Sequence, residues 1–262
     1  MLPSRLHLAT RLAALAVAVA ALAGCQGISG IQPYTQVRVI DASPDAPALD
    51  FYQNPALRQS STSTLYSIGF GTVSSYLALA PGAYVHAAYT AGTQQQLAQV
   101  HAVFSAGSQY TVLTGNIAAN LQMTVLKDQS TPAPAGQFAL RFLNQSTRPG
   151  AFDIYLLPAG SSFAGLLPVA AAATFGSNTG YIDAPSGTYS VVAFPAGATP
   201  GVAPPAYTGS QTVYPGGSAR TIVLIDQPSQ HPAEQSESDD PPGHSPALQI
   251  VTADDYDNPF AG

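Results

Sequence analysis

Beyond its first two dozen residues the chain is a succession of short apolar runs, four to seven residues long, separated by Pro-Gly, Ala-Gly and Asn punctuation. Runs of that length, rich in Val, Tyr, Thr and Leu, read as β-strands rather than helices. The pattern predicts strands over Val37–Asp41, Ala48–Tyr52, Ser74–Leu79, Ala83–Tyr89, Ala98–Phe104, Tyr110–Thr114 and Gln122–Lys127. No stretch after the amino terminus has the 3.6-residue apolar period of a three-turn amphipathic helix. The alanine-rich patch Pro168–Thr174 is the one place where a helical turn is expected.

The same pattern recurs further along the chain. VRVIDASPDAPALDFY (Val37 to Tyr52) aligns without a gap with LRFLNQSTRPGAFDIY (Leu140 to Tyr155), so that Arg38 meets Arg141, Ser43 meets Ser146, Asp50 meets Asp153 and Tyr52 meets Tyr155. Phe70–Gly92 aligns with Phe175–Gly197, Ala106–Thr114 with Gly216–Leu224, and Leu121-Gln122-Met123 with Leu248-Gln249-Ile250. Four blocks in one order imply two tandem copies of a domain. About seven short strands per copy predict an all-β fold of two tandem immunoglobulin-like antiparallel β-sandwich domains, preceded by an amino-terminal signal helix. The expected organisation is a signal peptide over 1–24, a lipidated tether over 25–36, a first sandwich over 37–128, a linker over 129–136, a second sandwich over 137–255 and a tail over 256–262. Residues 227–246, with five prolines, four acids and no large apolar residue, are expected to form a disordered acidic insert in the second sandwich.

Composition narrows the function. Hydrophobic residues make up 46% of the chain and charged ones 8%, enough apolar surface for real cores and too few charges for long solvated helices. The net charge is −6, and loss of Arg5 and Arg11 with the leader leaves six basic residues against fourteen acidic. With one lysine, Lys127, and no basic run, nucleic acid is excluded as a partner.

The leader carries two arginines in its first eleven residues, then the apolar run Leu12–Ala23. Twelve helical residues span about 18 Å, short of the roughly 30 Å hydrocarbon core, which favours a signal peptide over a membrane span. The leader ends in Leu22-Ala23-Gly24-Cys25, which resembles the lipobox of bacterial lipoproteins. That resemblance implies cleavage before Cys25, a diacylglyceryl thioether on its sulfur, and anchoring in membrane lipid through the acylated residue. An ordinary secretory signal with a chance cysteine is the competing reading, weakened because Cys25 is the only cysteine. Residue 26 is Gln and not Asp, and the resemblance to lipoproteins of two-membrane bacteria then implies the outer membrane over the inner as the site within the cell envelope.

Candidate chemistry is sparse. Asp41, Asp45 and Asp50 fall within ten residues and could ligate calcium, but the second copy has Asn144 and Arg148 opposite the first two, so turn formation is the preferred reading. Arg38 with Asp50 and Arg141 with Asp153 are expected to form Arg–Asp pairs tying neighbouring strands. His86 aligns with Val191, which points to a packed position; His231 and His244 lie near the two ends of the insert. Asp254-Asp255-Tyr256-Asp257-Asn258 lacks the spacing of a calcium loop and reads as a solvated tail. The pairs Tyr52/Tyr155, Tyr76/Tyr181 and Tyr84/Tyr189 recur between copies, which fits a shared core role better than a ligand face.

The block VIDASPDAPALDFY (Val39 to Tyr52), with the later turn Ala80-Pro81-Gly82-Ala83-Tyr84-Val85, resembles the opening signature of domain of unknown function family 4397, whose members typically begin VRVIHASPDAPAVDVYV. Asp41 stands where that signature has His, and the second copy has Thr147-Arg148-Pro149-Gly150 in place of Pro-Asp-Ala-Pro. The resemblance implies a secreted or surface-anchored bacterial protein and no particular reaction. The expectation is therefore a membrane-anchored envelope lipoprotein without catalytic residues, metal or cofactor, serving binding, adhesion or scaffolding toward envelope protein or carbohydrate. The alternative is an envelope hydrolase using Asp41 or Asp45 with His86 or His101.

Overall fold

A computed structural model of the chain describes residues 33–54, 65–147, 150–226 and 248–256. The expected signal peptide and acidic insert, Cys25, His231, His244 and the residues after 256 lie outside the described residues. Within them the structure is almost wholly β, with one 3-10 turn at Ala118–Asn120. No helix among the described residues is long and apolar enough to cross a membrane.

The first half contains β1 (Thr35–Asp41), β2 (Leu49–Gln53), β3 (Leu65–Ile68), β4 (Leu77–Leu79), β5 (Gly82–Thr90), β6 (Gln96–Phe104), β7 (Gln109–Gly115) and β8 (Gln122–Asp128). The second contains β9 (Gln137–Asn144), β10 (Phe152–Pro158), β11 (Ala170–Ala173), β12 (Asn178–Pro185), β13 (Gly187–Pro195), β14 (Tyr207–Thr208), β15 (Thr212–Tyr214), β16 (Ala219–Asp226) and β17 (Leu248–Tyr256). In the first half one sheet has the order β4-β1-β7-β8 and the other β3-β2-β5-β6. The second half repeats both orders, as β12-β9-β16-β17 and β11-β10-β13, with β14 and β15 pairing successive stretches of the far edge of β13. Pairing is antiparallel except that β1 runs parallel to β7, and β9 to β16. Parallel neighbours need a long crossover, and here the strands of the opposite sheet supply it.

Three cores explain the layering. In the first half Val37 and Val39 of β1 and Tyr110 and Val112 of β7 pack on Leu49, Phe51, Ala88 and Phe104 of the facing sheet. In the second half Phe138, Leu140, Phe142, Ile222 and Leu224 pack on Phe152, Ile154, Val191 and Ala193. The third core joins the halves: Ile40 and Leu113 of the first meet Leu143, Val223, Ile225 and Ala253 of the second. Residues alternate between the faces of a strand, so β1, β7, β9 and β16 each serve one sandwich core on one face and the central core on the other. That is why the six residues after Thr35 include only one that is not buried, and why β9 and β16 are buried almost throughout. These are strands with the near-continuous apolar reading of sheets covered on both sides.

The structure departs from the sequence reading at several places. The alanine patch forms the strand β11, not a helical turn. Alanine favours helix, but four residues cannot repay helix nucleation, whereas pairing Phe152 with Ala173 and Ile154 with Ala170 places the segment on the sheet edge. The strand β3 is not foreshadowed by any apolar run, and β4 is shorter than the expected Ser74–Leu79. The expected linker 129–136 packs on the second half: Ala133 is buried and its N–H donates to the Gly217 carbonyl, and the Gln129 N–H donates to the Tyr181 hydroxyl.

Candidate functional site

Two constellations stand out, one buried and one open. The buried one lies between the halves. Arg38 and Arg141, at matching places in β1 and β9, do not pair with Asp50 and Asp153 as expected; each crosses to the last strand of the other half. Arg141 Nη2 donates to Asp128 Oδ1 at 2.6 Å, and Arg38 Nη2 donates to Asp255 Oδ1. Nη1 of each donates to a backbone carbonyl beside its partner, Asp254 O for Arg38 and Lys127 O for Arg141. Each carboxylate also accepts from its own half: Asp128 Oδ2 from Thr111 and Tyr76, both at 2.7 Å, and Asp255 Oδ2 from Thr221 at 2.7 Å and Tyr181 at 2.8 Å. The guanidinium carbons lie 4.6 Å and 4.8 Å from the ring centroids of Tyr76 and Tyr181.

All four charged residues are buried. Burial, and then the adjacent carboxylates, push both tyrosine hydroxyls up from their ordinary pKa, so they stay protonated and donate. Burial likewise raises Asp255, opposed by Arg38. Asp255 is thus part of β17 and of this network rather than of a solvated tail; Asp254 beside it is exposed and pairs with Arg220 at 2.6 Å. The missed signal lay in the alignment itself, since extending the match of Leu121 with Leu248 sets Asp128 opposite Asp255. Two cations and two anions with every strong donor placed make a neutral, closed cluster. It can hold the halves together, and it offers no free acid or base.

The three aspartates of the first turn do not converge. Asp41 Oδ1 accepts from the Ser43 N–H and the Thr114 hydroxyl; Asp45 Oδ1 accepts from the Ala118 N–H at 2.7 Å; Asp50 Oδ1 and Oδ2 accept from the Ser67 and Gly92 N–H groups at 2.9 and 2.8 Å. Asp153 repeats the last arrangement with the N–H groups of Ala172 and Gly197. Asp50 and Asp153 therefore fix turns, each holding a non-glycine residue at positive φ, Ser67 at 52° and Ala172 at 46°. Among the described residues no group of three His, Cys, Asp or Glu side chains could share a metal ion.

The histidines proposed for an acid–base role are also apart. His86 on β5 is buried between the rings of Tyr84 and Phe104, its Nε2 has no hydrogen-bond partner, and burial lowers its pKa to about 4. His101 on β6 is exposed. Among the described residues no hydrogen bond links either histidine to Asp41 or Asp45.

The open constellation is a cleft of about 570 Å³ on the first half, lined by Asp50, Tyr52, Tyr66, Ser67, Gly92 and Gln94 among others. Tyr66 on β3 is 59% exposed, and the half-buried Tyr52 meets Tyr89 edge-on at 5.2 Å. In the second half Tyr155, the counterpart of Tyr52, is buried, with Phe163 and Phe194 edge-on against it, both at 5.7 Å, and those two phenylalanines line a separate, more apolar cleft of about 500 Å³ with Val192, Val202 and Pro204. The recurring tyrosines otherwise keep matched structural roles, as when Tyr84 donates to the Ala80 carbonyl and Tyr189 to that of Pro185.

Comparison with known families now bears on this architecture. Residues 35–155 match the family described as Domain of unknown function (DUF4397). The DUF4397 match covers the whole first half and runs on to Tyr155 in β10. A search among curated proteins finds no match. Among solved structures the chain is similar to a streptococcal virulence factor that binds alpha-glucan, at 9% identity and a TM-score of 0.23, covering 61% of this chain and 80% of that one. It is similar also to CBMbc (family CBM26) from Eubacterium rectale Amy13K, solved with maltoheptaose, at 12% identity and a TM-score of 0.23, covering 72% and 91%. At that distance the likenesses say nothing about what this chain binds.

Proposed function

We propose that this protein is a non-catalytic binding protein of the cell envelope, tethered by lipid on Cys25, with the cleft at Tyr52 and Tyr66 as its ligand face. The observation that carries the reading is the lining of the cleft: Tyr66 stands exposed on β3 beside the half-buried Tyr52, whereas Tyr155, the counterpart of Tyr52, is buried against Phe163 and Phe194. An exposed tyrosine ring beside amide and hydroxyl groups suits the apolar face and hydroxyl edge of a sugar. Both oxygens of the one carboxylate in the cleft, Asp50, already hold backbone N–H groups, which suits a positioning role and not proton transfer. A carbohydrate ligand is therefore the leading class, and an envelope protein the second.

The test uses the full chain without its leader. Glycan-array screening followed by calorimetric titration should find a saccharide that binds, and Tyr66→Ala should weaken it about tenfold or more while leaving the melting temperature unchanged. Binding that is indifferent to Tyr66→Ala, or an array that stays blank, would overturn the ligand assignment; turnover of a glycoside or ester panel would overturn the non-catalytic one. The anchor is tested separately: in cells fed labelled fatty acid, Cys25→Ser should abolish labelling and release the protein from the membrane fraction. Labelling that persists would exclude Cys25 as the lipid site.

A further inference from the structure

The two halves treat one buried position differently. In the second half Asn144 ends β9; its Oδ1 accepts from the Ser146 N–H at 2.9 Å, and its Nδ2 donates to the Ala173 carbonyl at 2.8 Å and the Gly150 carbonyl at 3.4 Å. Asp41 ends β1 in the same frame. Its Oδ1 accepts from the Ser43 N–H at 3.1 Å. Gly71 N–H donates to the Asp41 carbonyl at 2.8 Å as Gly176 N–H donates to that of Asn144 at 2.7 Å. Ala42 N–H donates to Thr114 O as Gln145 N–H donates to Leu224 O. Leu49 pairs with Ile68 as Phe152 pairs with Ala173. By this correspondence the Ile68 and Pro47 carbonyls are the counterparts of those of Ala173 and Gly150, and Asp41 Oδ2 is the counterpart of the Asn144 amide nitrogen.

Asp41 is fully buried, and its Oδ2 has no hydrogen-bond partner. A carboxylate oxygen facing carbonyl oxygens has nothing to donate; a carboxylic acid has one O–H. We infer that Asp41 is a neutral carboxylic acid in the native fold, its Oδ2–H donating to the backbone of β3 as the Asn144 amide donates to β11, so that this tie between the two sheets is lost when Asp41 ionises.

The surroundings agree. The groups that meet the carboxyl, Ser43 and the β7 residue Thr114, are uncharged. The nearby carboxylates Asp45 and Asp50, on the turn and on β2, are turned to other N–H groups, and Arg38 of β1 is committed to Asp255. Burial raises the Asp41 pKa to about 6 from 3.8, with the two hydrogen bonds opposing. The acid form is favoured by folding, so its stabilisation is complete below about pH 4 and is lost as pH rises through about 6. His86 acts in the opposite sense: its burial as the neutral ring favours the fold above about pH 6.5, and that contribution is lost as pH falls toward 4.

The decisive comparison is full-chain unfolding by denaturant, wild type against Asp41→Asn, from pH 4 to pH 8, because the difference between the two profiles cancels His86. Asparagine should substitute for the acid as Asn144 does. The variant should gain about a hundredfold in folding equilibrium constant over wild type at pH 7.5, an advantage absent at pH 4, matching a pKa gap of about two units. Parallel profiles would overturn the inference. Carboxyl-carbon magnetic resonance of the wild-type protein decides the matter without a variant: the Asp41 signal should titrate near pH 6, and titration at or below 4 would refute it. Added calcium or sodium that stabilises wild type but not Asp41→Asn at pH 7.5 would also refute it, showing that a cation and not a proton occupies the site.

Discussion

Asp128 joins side chains of both halves at one buried carboxylate. Its two oxygens accept from Arg141, Thr111 and Tyr76, and Arg38 lies 3.9 Å away. A buried ion pair gains little over a well-packed apolar replacement, because desolvation offsets the attraction, but removing one partner leaves an uncompensated charge and costs about 3–5 kcal/mol. Asp128→Ala strands the Arg141 guanidinium and two buried hydroxyls together. We expect urea unfolding to show a loss of at least that size, with the slope unchanged. A loss below about 1 kcal/mol, the level of an exposed pair, would mean that water reaches the cluster.

At the scale of elements, Ala172 in β11 and Ser67 in β3 sit at matching places with φ of 46° and 52°. The left-handed region costs a non-glycine residue about 1–2 kcal/mol, and the N–H groups of both are bound by Asp153 and Asp50. The aspartates hold these two edge strands in a conformation that their own residues disfavour. Ala172 is exposed, so Ala172→Gly removes the strain and little else. It should stabilise the protein by roughly 0.5–1 kcal/mol after the entropy of glycine is set against the relief, seen as a rise of a few degrees in melting temperature. A fall would show that the alanine is unstrained. The same two elements mark where sequence reading runs out. Strands with strong period-two or continuous apolar runs, such as β1, β5, β7 and β8, were legible because burial on one or both faces writes itself into composition. The strands β3 and β11 were not, since Leu-Tyr-Ser-Ile and Ala-Ala-Ala-Ala carry no strand signal and owe their conformation to a hydrogen-bond donor–acceptor match with a distant aspartate. Asp50 and Asp153 were visible as a conserved spacing from Arg38 and Arg141 between the copies, but spacing alone could not say that the arginines face the opposite layer. The cleft was no more legible: Tyr66 belongs to no repeated block, and its exposure comes from the place of β3 at the edge of its sheet, which spacing does not state.

For the molecule as a whole, the central core and the charge cluster make each half the covering layer of the other. The pairs Arg38–Asp255 and Arg141–Asp128 are related by exchange of the halves, the arrangement a two-fold symmetric dimer would show, here within one chain. Without the opposite half, β1 and β7 would expose Ile40 and Leu113 together with the unpaired Arg38, and β9 and β16 would expose Leu143, Val223, Ile225 and Arg141. Neither half has a favourable state with that face in water, so unfolding of one should carry the other with it. We expect scanning calorimetry of the chain to give one transition whose calorimetric and van't Hoff enthalpies agree. The arginines should be coupled, because Arg38 approaches Asp128 as well as Asp255. Arg38→Ala and Arg141→Ala should each cost about 3–5 kcal/mol, and the double variant should cost measurably less or more than their sum, by about 0.5–3 kcal/mol. If the wild-type protein shows two separable transitions, or if the two substitutions add without coupling, the halves are independent domains in contact and not the two sides of one folding unit.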